Sequence, residues 1–418
     1  MHIVFVTIEL ASKNSSSGGL ASFTANMAKI FSQYGHHVSI ILASTKEQNI
    51  EFSSDVDIYS LFVPLQKWKR IDYISKILGK LFSIENDSIR KTLVNLFKAR
   101  QVKNAIQRIN KKDKIDIIHY CNHGSLNLLS PKRFPYIVRI SGYLNIWMGG
   151  ANILNGSLKY IDNPLSPKDK LEEYTIKKSR YVVSPSNLIA SITRENLGVT
   201  PVVIESPFIL ELKKWDHTIF EKFNLKGKKY IIHYGTLSYL KGIHIVEQIA
   251  KKFLCQHKNY HIVLSGNNCE LYKENNSIVR ADELVKRSAG EFSDRVIYAG
   301  RLVREQLYPL IQNAELCLLP SRIENLSNAC IEAMAMGKIV VATDGASYEQ
   351  LIDDGISGFL CQRDNSDSFL KAINKVLDMS VEEKEQMELK AIEVTKRLEP
   401  QSIYQQYLNL YKKVIREW

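Results

Sequence analysis

The stretch Pro320-Ser-Arg-Ile-Glu324-Asn-Leu-Ser-Asn328-Ala-Cys-Ile-Glu332-Ala-Met-Ala-Met-Gly337 lies between two short apolar runs, residues 315–319 and 338–342. Runs of that length bounded by turn formers read as buried strands, and Ser327 or Asn328 is a good N-cap for a helix between them. Strand, loop, helix and strand in this order make a βαβ unit of a parallel sheet. The amides at the start of such a helix lack intrahelical partners and can receive a phosphate. Glu324 sits in the loop and Glu332 about one turn into the helix, so both can face one ligand. Glu332 is followed by small and apolar residues, where a lone carboxylate requires something to bond.

Working outward, the same alternation continues through the second half, with strands expected at 230–234, 261–265, 295–299 and 358–361. The first half repeats it: a strand at 2–8, a helix from Leu20 to about Tyr34, then strands at 37–43, 115–119, 136–140, 181–184 and 201–205. The expected fold class is therefore α/β, two doubly wound Rossmann-like domains facing a cleft, since ligands of such sheets bind outside the carboxyl ends of the strands. Residues 206–228, polar and carrying Pro and Gly, form the natural hinge. The domains are expected at 1–207 and 208–396. Ile403, Tyr407, Leu410, Tyr411 and Val414 make 397–418 an amphipathic terminal helix packing back on the first domain.

With 45% hydrophobic and 24% charged residues the chain is neither disordered nor fibrous. No apolar run is long enough to cross a bilayer, and the start reads as a first strand, not a signal peptide. Six cysteines with no C-x-x-C spacing suit a reducing cytoplasm better than disulfides or zinc. Of a net charge of +12, residues 67–114 hold nearly all, with fourteen Lys or Arg against four Asp or Glu. There Trp68, Ile71, Ile74, Ile77, Leu78, Leu81 and Phe82 recur at near-helical spacing among Lys67, Lys69, Arg70, Lys76 and Lys80. An apolar stripe with cations suits a helix lying on an anionic membrane; the plainer alternative is a stripe packed on the domain with solvated lysines. No nucleic-acid partner is expected, because no binding module accompanies the charge.

Ser15-Ser-Ser-Gly18-Gly19-Leu20 follows the first strand and opens a helix, a place where paired glycines let amides approach an anion. It is not the G-x-G-x-x-G of a dinucleotide site. His119 reads as a structural histidine and His123 as the one that touches acceptor or donor; as a metal pair they lack a third ligand. Asp55-Val56-Asp57 spells D-x-D in a short edge-like segment, and Asp353-Asp354 before Gly355 is most simply a turn. No metal or cofactor is expected.

Glu324 and Glu332, the following Ala-Met-Ala-Met-Gly-Lys-Ile-Val-Val-Ala-Thr, and Glu349-Gln-Leu-Ile-Asp-Asp-Gly-Ile-Ser-Gly-Phe resemble the donor half of family 4 retaining glycosyltransferases of the GT-B fold. Gly18-Gly19-Leu20, Ser184-Pro185-Ser186 and Tyr234-Gly-Thr-Leu-Ser-Tyr-Leu-Lys241-Gly242 extend the resemblance over most of the chain. It implies that Glu332 binds the ribose hydroxyls, that Glu324 lies near the sugar, and that the amides of Asn325, Leu326 and Ser327 meet sugar and diphosphate. Lys241 would neutralise the diphosphate as the leaving group gains charge, and Gly19 would admit the β-phosphate. Where relatives often carry Gly-Arg, this chain has Gly235-Thr236, so a second phosphate cation would come from Arg301, Arg304 or Arg322. Ser141 stands where many members place a histidine near the transferred sugar; it can hydrogen-bond that sugar but not act as acid or base.

The reading that follows is a cytoplasmic enzyme, peripheral on the inner face of the membrane. It would move a sugar, with retention, from a nucleotide diphosphate sugar to a glycan or lipid-linked acceptor, in cell-surface polysaccharide assembly. A non-catalytic GT-B partner subunit and a GT-B sugar-nucleotide epimerase are the rival readings.

Overall fold

The computed structural model describes residues 1–11, 18–45, 50–142, 165–210, 215–272 and 278–418. They divide into two compact units, one formed by the chain up to Pro207 together with Leu398–Trp418, the other by Phe208–Arg397.

The first unit holds a parallel sheet of β1 (His2–Thr7), β2 (His37–Ala43), β3 (Val56–Leu61), β4 (Ile117–Cys121), β5 (Tyr136–Arg139), β6 (Val182–Ser184) and β7 (Val202–Val203). Their order is β3-β2-β1-β4-β5-β6-β7. Ile3 pairs with Val38 on one side and Ile117 on the other. Every residue of β1 and β4 is buried, as expected where both faces of a parallel sheet are covered. Helix α1 (Gly19–Gln33) turns Phe23, Met27 and Phe31 into this core. The helix Pro400–Glu417 adds Ile403, Tyr407, Tyr411 and Val414 to the same cluster. Phe31 lies 5.0 Å from the Tyr404 ring and 5.3 Å from that of Tyr411. Full burial of one such side chain contributes about 1.5–3 kcal/mol, so this late helix is an integral part of the first unit's core.

Two further helices, α2 (Leu65–Phe82) and α3 (Asn86–Lys112), pack on each other, and α4 (Pro167–Lys177) precedes β6. The apolar stripe expected on 67–82 does not turn inward as one. The inner face of α2 is Ile71, Ser75 and Gly79, spaced i, i+4, i+8, with Ile71 in a small cluster with Val63 and Val94. A Cβ on Gly79 would stand 1.9 Å from the Asn86 side-chain oxygen and 3.0 Å from Ile84 O, so the return into α3 packs closely on this glycine. Trp68 and Leu78 are half-buried, while Ile74, Ile77, Leu81 and Phe82 are exposed.

The second unit carries β8 (Lys229–Tyr234), β9 (Tyr260–Ser265), a hairpin of β10 (Glu270–Tyr272) and β11 (Ile278–Arg280), then β12 (Val296–Tyr298), β13 (Leu316–Leu319), β14 (Val340–Thr343) and β15 (Phe359–Cys361). The six parallel strands run β12-β9-β8-β13-β14-β15. In each sheet the chain starts at an interior strand, builds one way and then crosses to build the other. The reversal falls between β1 and β4 in the first sheet and between β8 and β13 in the second, and a crevice opens at the carboxyl ends of such strand pairs.

The D-x-D reading has no such place. Asp57 sits at the amino end of edge strand β3, where its carboxylate lies 3.1 Å from Nε2 of His37. Asp353 and Asp354 belong to a turn, Asp354 accepting from the amide of Leu360.

Candidate active site

In the second unit the loops after β8 and β13 flank the reversal of strand order. The first loop closes with Gly242 in the left-handed region, at φ 79°. A Cβ there would lie 1.9 Å from the carbonyl oxygen of Pro320, so glycine lets this loop rest on the exit of β13. The amide of Arg322 donates to Leu240 O at 2.9 Å and ties the loops together. Helix α5 (Ile243–Gln256) starts at once behind Lys241-Gly242.

That packing delivers Lys241 to Glu324. Nζ of Lys241 donates to Oε1 of Glu324 at 2.7 Å, and the same oxygen accepts from Ser321 Oγ at 2.8 Å and Tyr348 OH at 3.4 Å. Glu324 is nearly buried, and three donors on one oxygen compensate its desolvation. The loop then enters helix α6 (Asn328–Ala335), whose N-cap Ser327 accepts from the amide of Cys330 at 3.3 Å. Oδ1 of Asn325 is buried without a protein partner. Leu326 is buried too; of this residue only the backbone is suited to a polar ligand.

Glu332, one turn into α6, meets Arg304 Nη2 at 3.3 Å and Tyr308 OH at 3.3 Å. Burial raises its carboxyl pKa, and the guanidinium and the phenol pull in the other direction. Of the three arginines considered for the diphosphate, Arg304 is thus engaged with Glu332. Arg322 holds Asp364 through Nε at 3.1 Å and Nη2 at 2.8 Å, fixed in a surface pair beside His244. Arg301 and Gly235 are exposed, and Thr236 is half-buried in the loop after β8.

At the first unit's reversal of strand order, Gly18 is the N-cap of α1 and Gly19 its first residue, both exposed. Gly18 has φ −69° and ψ −175°, an extended conformation open to any residue, so the expected need for glycine geometry is absent there. Nor is space short within the chain: a Cβ would lie 3.7 Å from the Glu9 carboxylate, an ordinary contact. Ser15–Ser17 fall outside the described residues.

Across from α1, His123 and Ser141 follow β4 and β5 and are joined by one polar network. Nδ1 of His123 lies 3.1 Å from Oε1 of Glu172 on α4. Asn122 Nδ2 donates to that oxygen at 3.0 Å and to Gly142 O at 2.8 Å, while its Oδ1 accepts from the Ser141 amide at 2.8 Å. Below them Arg139 is buried, donating to Ser141 Oγ at 3.0 Å and Ser206 Oγ at 2.7 Å with its guanidinium 3.7 Å from the Phe23 ring. Burial lowers the guanidinium's pKa. The Ser141 hydroxyl, having accepted from Arg139, keeps its own proton to donate. His119 is a core residue: Tyr411 OH lies 2.7 Å from its Nδ1, and burial, helped by Arg139, holds its pKa well below the usual imidazole range.

Sequence reading did not single out Asn122, Arg139 and Glu172 in the first unit, or Ser321, Tyr308 and Tyr348 in the second. Asn122 directly precedes His123 at a strand end, which is a usable signal; Glu172 stands fifty residues from its partner and has none. Among the described residues one set, His2, His37 and Asp113, brings three metal-type ligand atoms within 4.8 Å of one another. It lies at the amino ends of β1 and β2, opposite the ends that carry the candidate site.

Two doubly wound units in this order define a GT-B fold, and solved structures agree over the whole chain. Sucrose-phosphate synthase from Thermosynechococcus elongatus superposes with a TM-score of 0.68 at 16% identity, covering 100% of both chains. Anabaena HepE in complex with UDP and glucose superposes with a TM-score of 0.64 at 16% identity, covering 99% of this chain and 100% of that one. Residues 216–394 match the family described as Glycosyl transferases group 1, so the second unit carries a domain of that kind. A lipopolysaccharide 1,2-N-acetylglucosaminetransferase of Salmonella typhimurium is 26% identical over 202 residues, 47% of this chain and 52% of the relative. The chain thus spans about half the length of that curated relative, and less of the next ones it matches.

Proposed function

We propose that this chain is a retaining glycosyltransferase of family 4 type, moving a sugar from a nucleoside diphosphate sugar to an acceptor hydroxyl. The observation that carries the reading is the Lys241–Glu324 pair at the strand-order reversal of the second unit, in the loop that leads to Glu332 one turn into α6. Glu332 accepts from the ribose hydroxyls. Lys241 shifts from Glu324 to the diphosphate, whose negative charge grows as the glycosidic bond breaks. The amides of Asn325–Ser327, near the start of α6, meet the phosphate and the sugar. Thr236 and Arg301 complete the donor contacts, and at the exposed Gly18-Gly19 the amide of Gly19 approaches the β-phosphate. With cations and helix termini in these roles the reaction needs no metal.

In the first unit His123 and Ser141 handle the acceptor. Ser141 donates a hydrogen bond to sugar, and His123, oriented by Glu172 through Nδ1, keeps Nε2 for a hydroxyl. The departing phosphate takes the acceptor's proton, so no general base is required at position 141. The Salmonella relative, named for lipopolysaccharide, supports a glycan acceptor. The setting proposed is the inner face of a membrane, where a lipid-linked acceptor and cytosolic donor meet.

Titration calorimetry with UDP-, GDP- and ADP-sugars in the presence of EDTA is the direct test. One nucleotide class is expected to bind, and the product formed on a suitable acceptor is expected to keep the donor's anomeric configuration by NMR. Failure of every donor to bind, or inversion in the product, would overturn the reading.

A further inference from the structure

Helix α2 presents outward what helices ordinarily hide. Its inner face is made of Ile71, Ser75 and Gly79, and the large apolar residues Tyr73, Ile74, Ile77 and Leu81 lie on the opposite side, Tyr73 and Leu81 about 70% exposed. At 100° per residue these four fall within a single arc of about 100°. Lys69, Lys76 and Lys80, at i, i+7 and i+11, run along one border of that arc; Arg70 lies within it and Lys67 along the other border. Lys76 pairs with Asp72 at 2.9 Å, and no ion pair engages Lys67, Lys69, Arg70 or Lys80 among the described residues. Phe82 and Ile84 continue the exposed apolar surface into the turn before α3.

We infer that α2 is an interfacial helix that seats this face on an anionic lipid surface. It lies in the plane of the headgroups, with Ile74, Ile77 and Leu81 in the acyl boundary and the basic border on lipid phosphates. The charge favours this occupant: five basic residues against one acidic residue on α2 would repel a second copy of the same face but complement an anionic bilayer. Shape points the same way, because an apolar arc along a convex helix offers a line to a planar surface and no pocket to a side chain. No helix among the described residues is long and apolar enough to cross a membrane, so α2 lies on the bilayer and does not span it. The inference deepens the membrane setting of the proposed function and rests on that setting, but not on the transfer chemistry.

The test uses the full chain and vesicles of phosphatidylcholine, alone or with about a third phosphatidylglycerol, in flotation at low and moderate salt. Wild type is expected to float with the anionic vesicles, less so as salt rises, and to stay behind with the neutral ones. Replacing Ile74, Ile77 and Leu81 together by serine spares Ile71, Ser75 and Gly79, and should lower partition at least tenfold with helix content and nucleotide affinity unchanged. Lys67→Gln, Lys69→Gln, Arg70→Gln, Lys76→Gln and Lys80→Gln combined should remove most of the salt-sensitive part. Ile77→Trp should show a blue-shifted emission on anionic vesicles only. Equal partition of wild type and the serine variant, or no preference for anionic vesicles, overturns the proposal. So does a dimer in sedimentation velocity that the serine variant abolishes, which would assign the face to a second copy. Nucleotide binding in the same samples separates a failure of this inference from a failure of the donor site.

Discussion

The two sheets share a strand order and reverse it at equivalent places, yet their carboxyl ends are furnished differently. Beyond β8 and β13 stand an ammonium and two nearly buried carboxylates, with hydroxyls of Ser321, Tyr308 and Tyr348 bonded to them. Beyond β4 and β5 stand amide and hydroxyl groups, one imidazole–carboxylate contact and a guanidinium sunk beneath them. The topology sets where a ligand is met; the side chains set what is met there. In the function proposed above, the second unit meets the donor's diphosphate and diol, and the first orients neutral hydroxyls.

Removing charge should therefore matter most in the second unit. Lys241→Ala is expected to lower kcat by about 10³ and also the melting temperature, because Glu324 would keep its burial without the ammonium. Adding Glu324→Gln should recover much of the stability and none of the turnover. If turnover returns with stability, the lysine acts only as a structural partner.

Glu332→Gln is expected to weaken nucleotide affinity by about 1.5–3 kcal/mol in calorimetry, the range for hydrogen bonds to a charged group. Since burial raises this carboxyl's pKa, wild-type affinity should fall as pH drops through a range above that of ordinary carboxylates, and the glutamine variant should lack that limb. The sign for stability is opposite. A carboxyl raised in the folded state stabilises most when protonated, and that contribution is lost as pH rises through its folded pKa. The glutamine variant should then resist urea at pH 8 at least as well as wild type.

The smallest effect belongs to the first unit. Ser141→Ala should cost about tenfold in kcat, one hydrogen bond's worth. A loss of about 10³ with normal folding and nucleotide affinity would make the hydroxyl a far larger participant and erase the contrast between the units.

The same contrast governs how much could be read from the chain. Around α6 the strand, the cap Ser327 and both glutamates lie within eighteen consecutive residues, so local pattern and site coincide. In the first unit the network joins Asn122, Arg139, Ser141, Glu172 and Ser206, which only the parallel sheet brings together. Parallel strands pair residues far apart in sequence, and a neutral amide or a glutamate in a polar stretch leaves no periodic trace. Helix α2 shows a different limit: spacing revealed an apolar stripe, but Ile71, Ser75 and Gly79 form the inward side and much of the stripe stays exposed. The terminal helix has an equally clear stripe, and there it is the large residues that are buried.

That terminal helix also orders events during synthesis. Its tyrosines complete the packing around Phe23 and Phe31, residues made almost four hundred positions earlier. A ribosome that has finished both sheets but not Pro400–Glu417 therefore carries a first unit whose aromatic face is still open, while the unit made second already has all its own strands. The half that emerges first is the half that closes last.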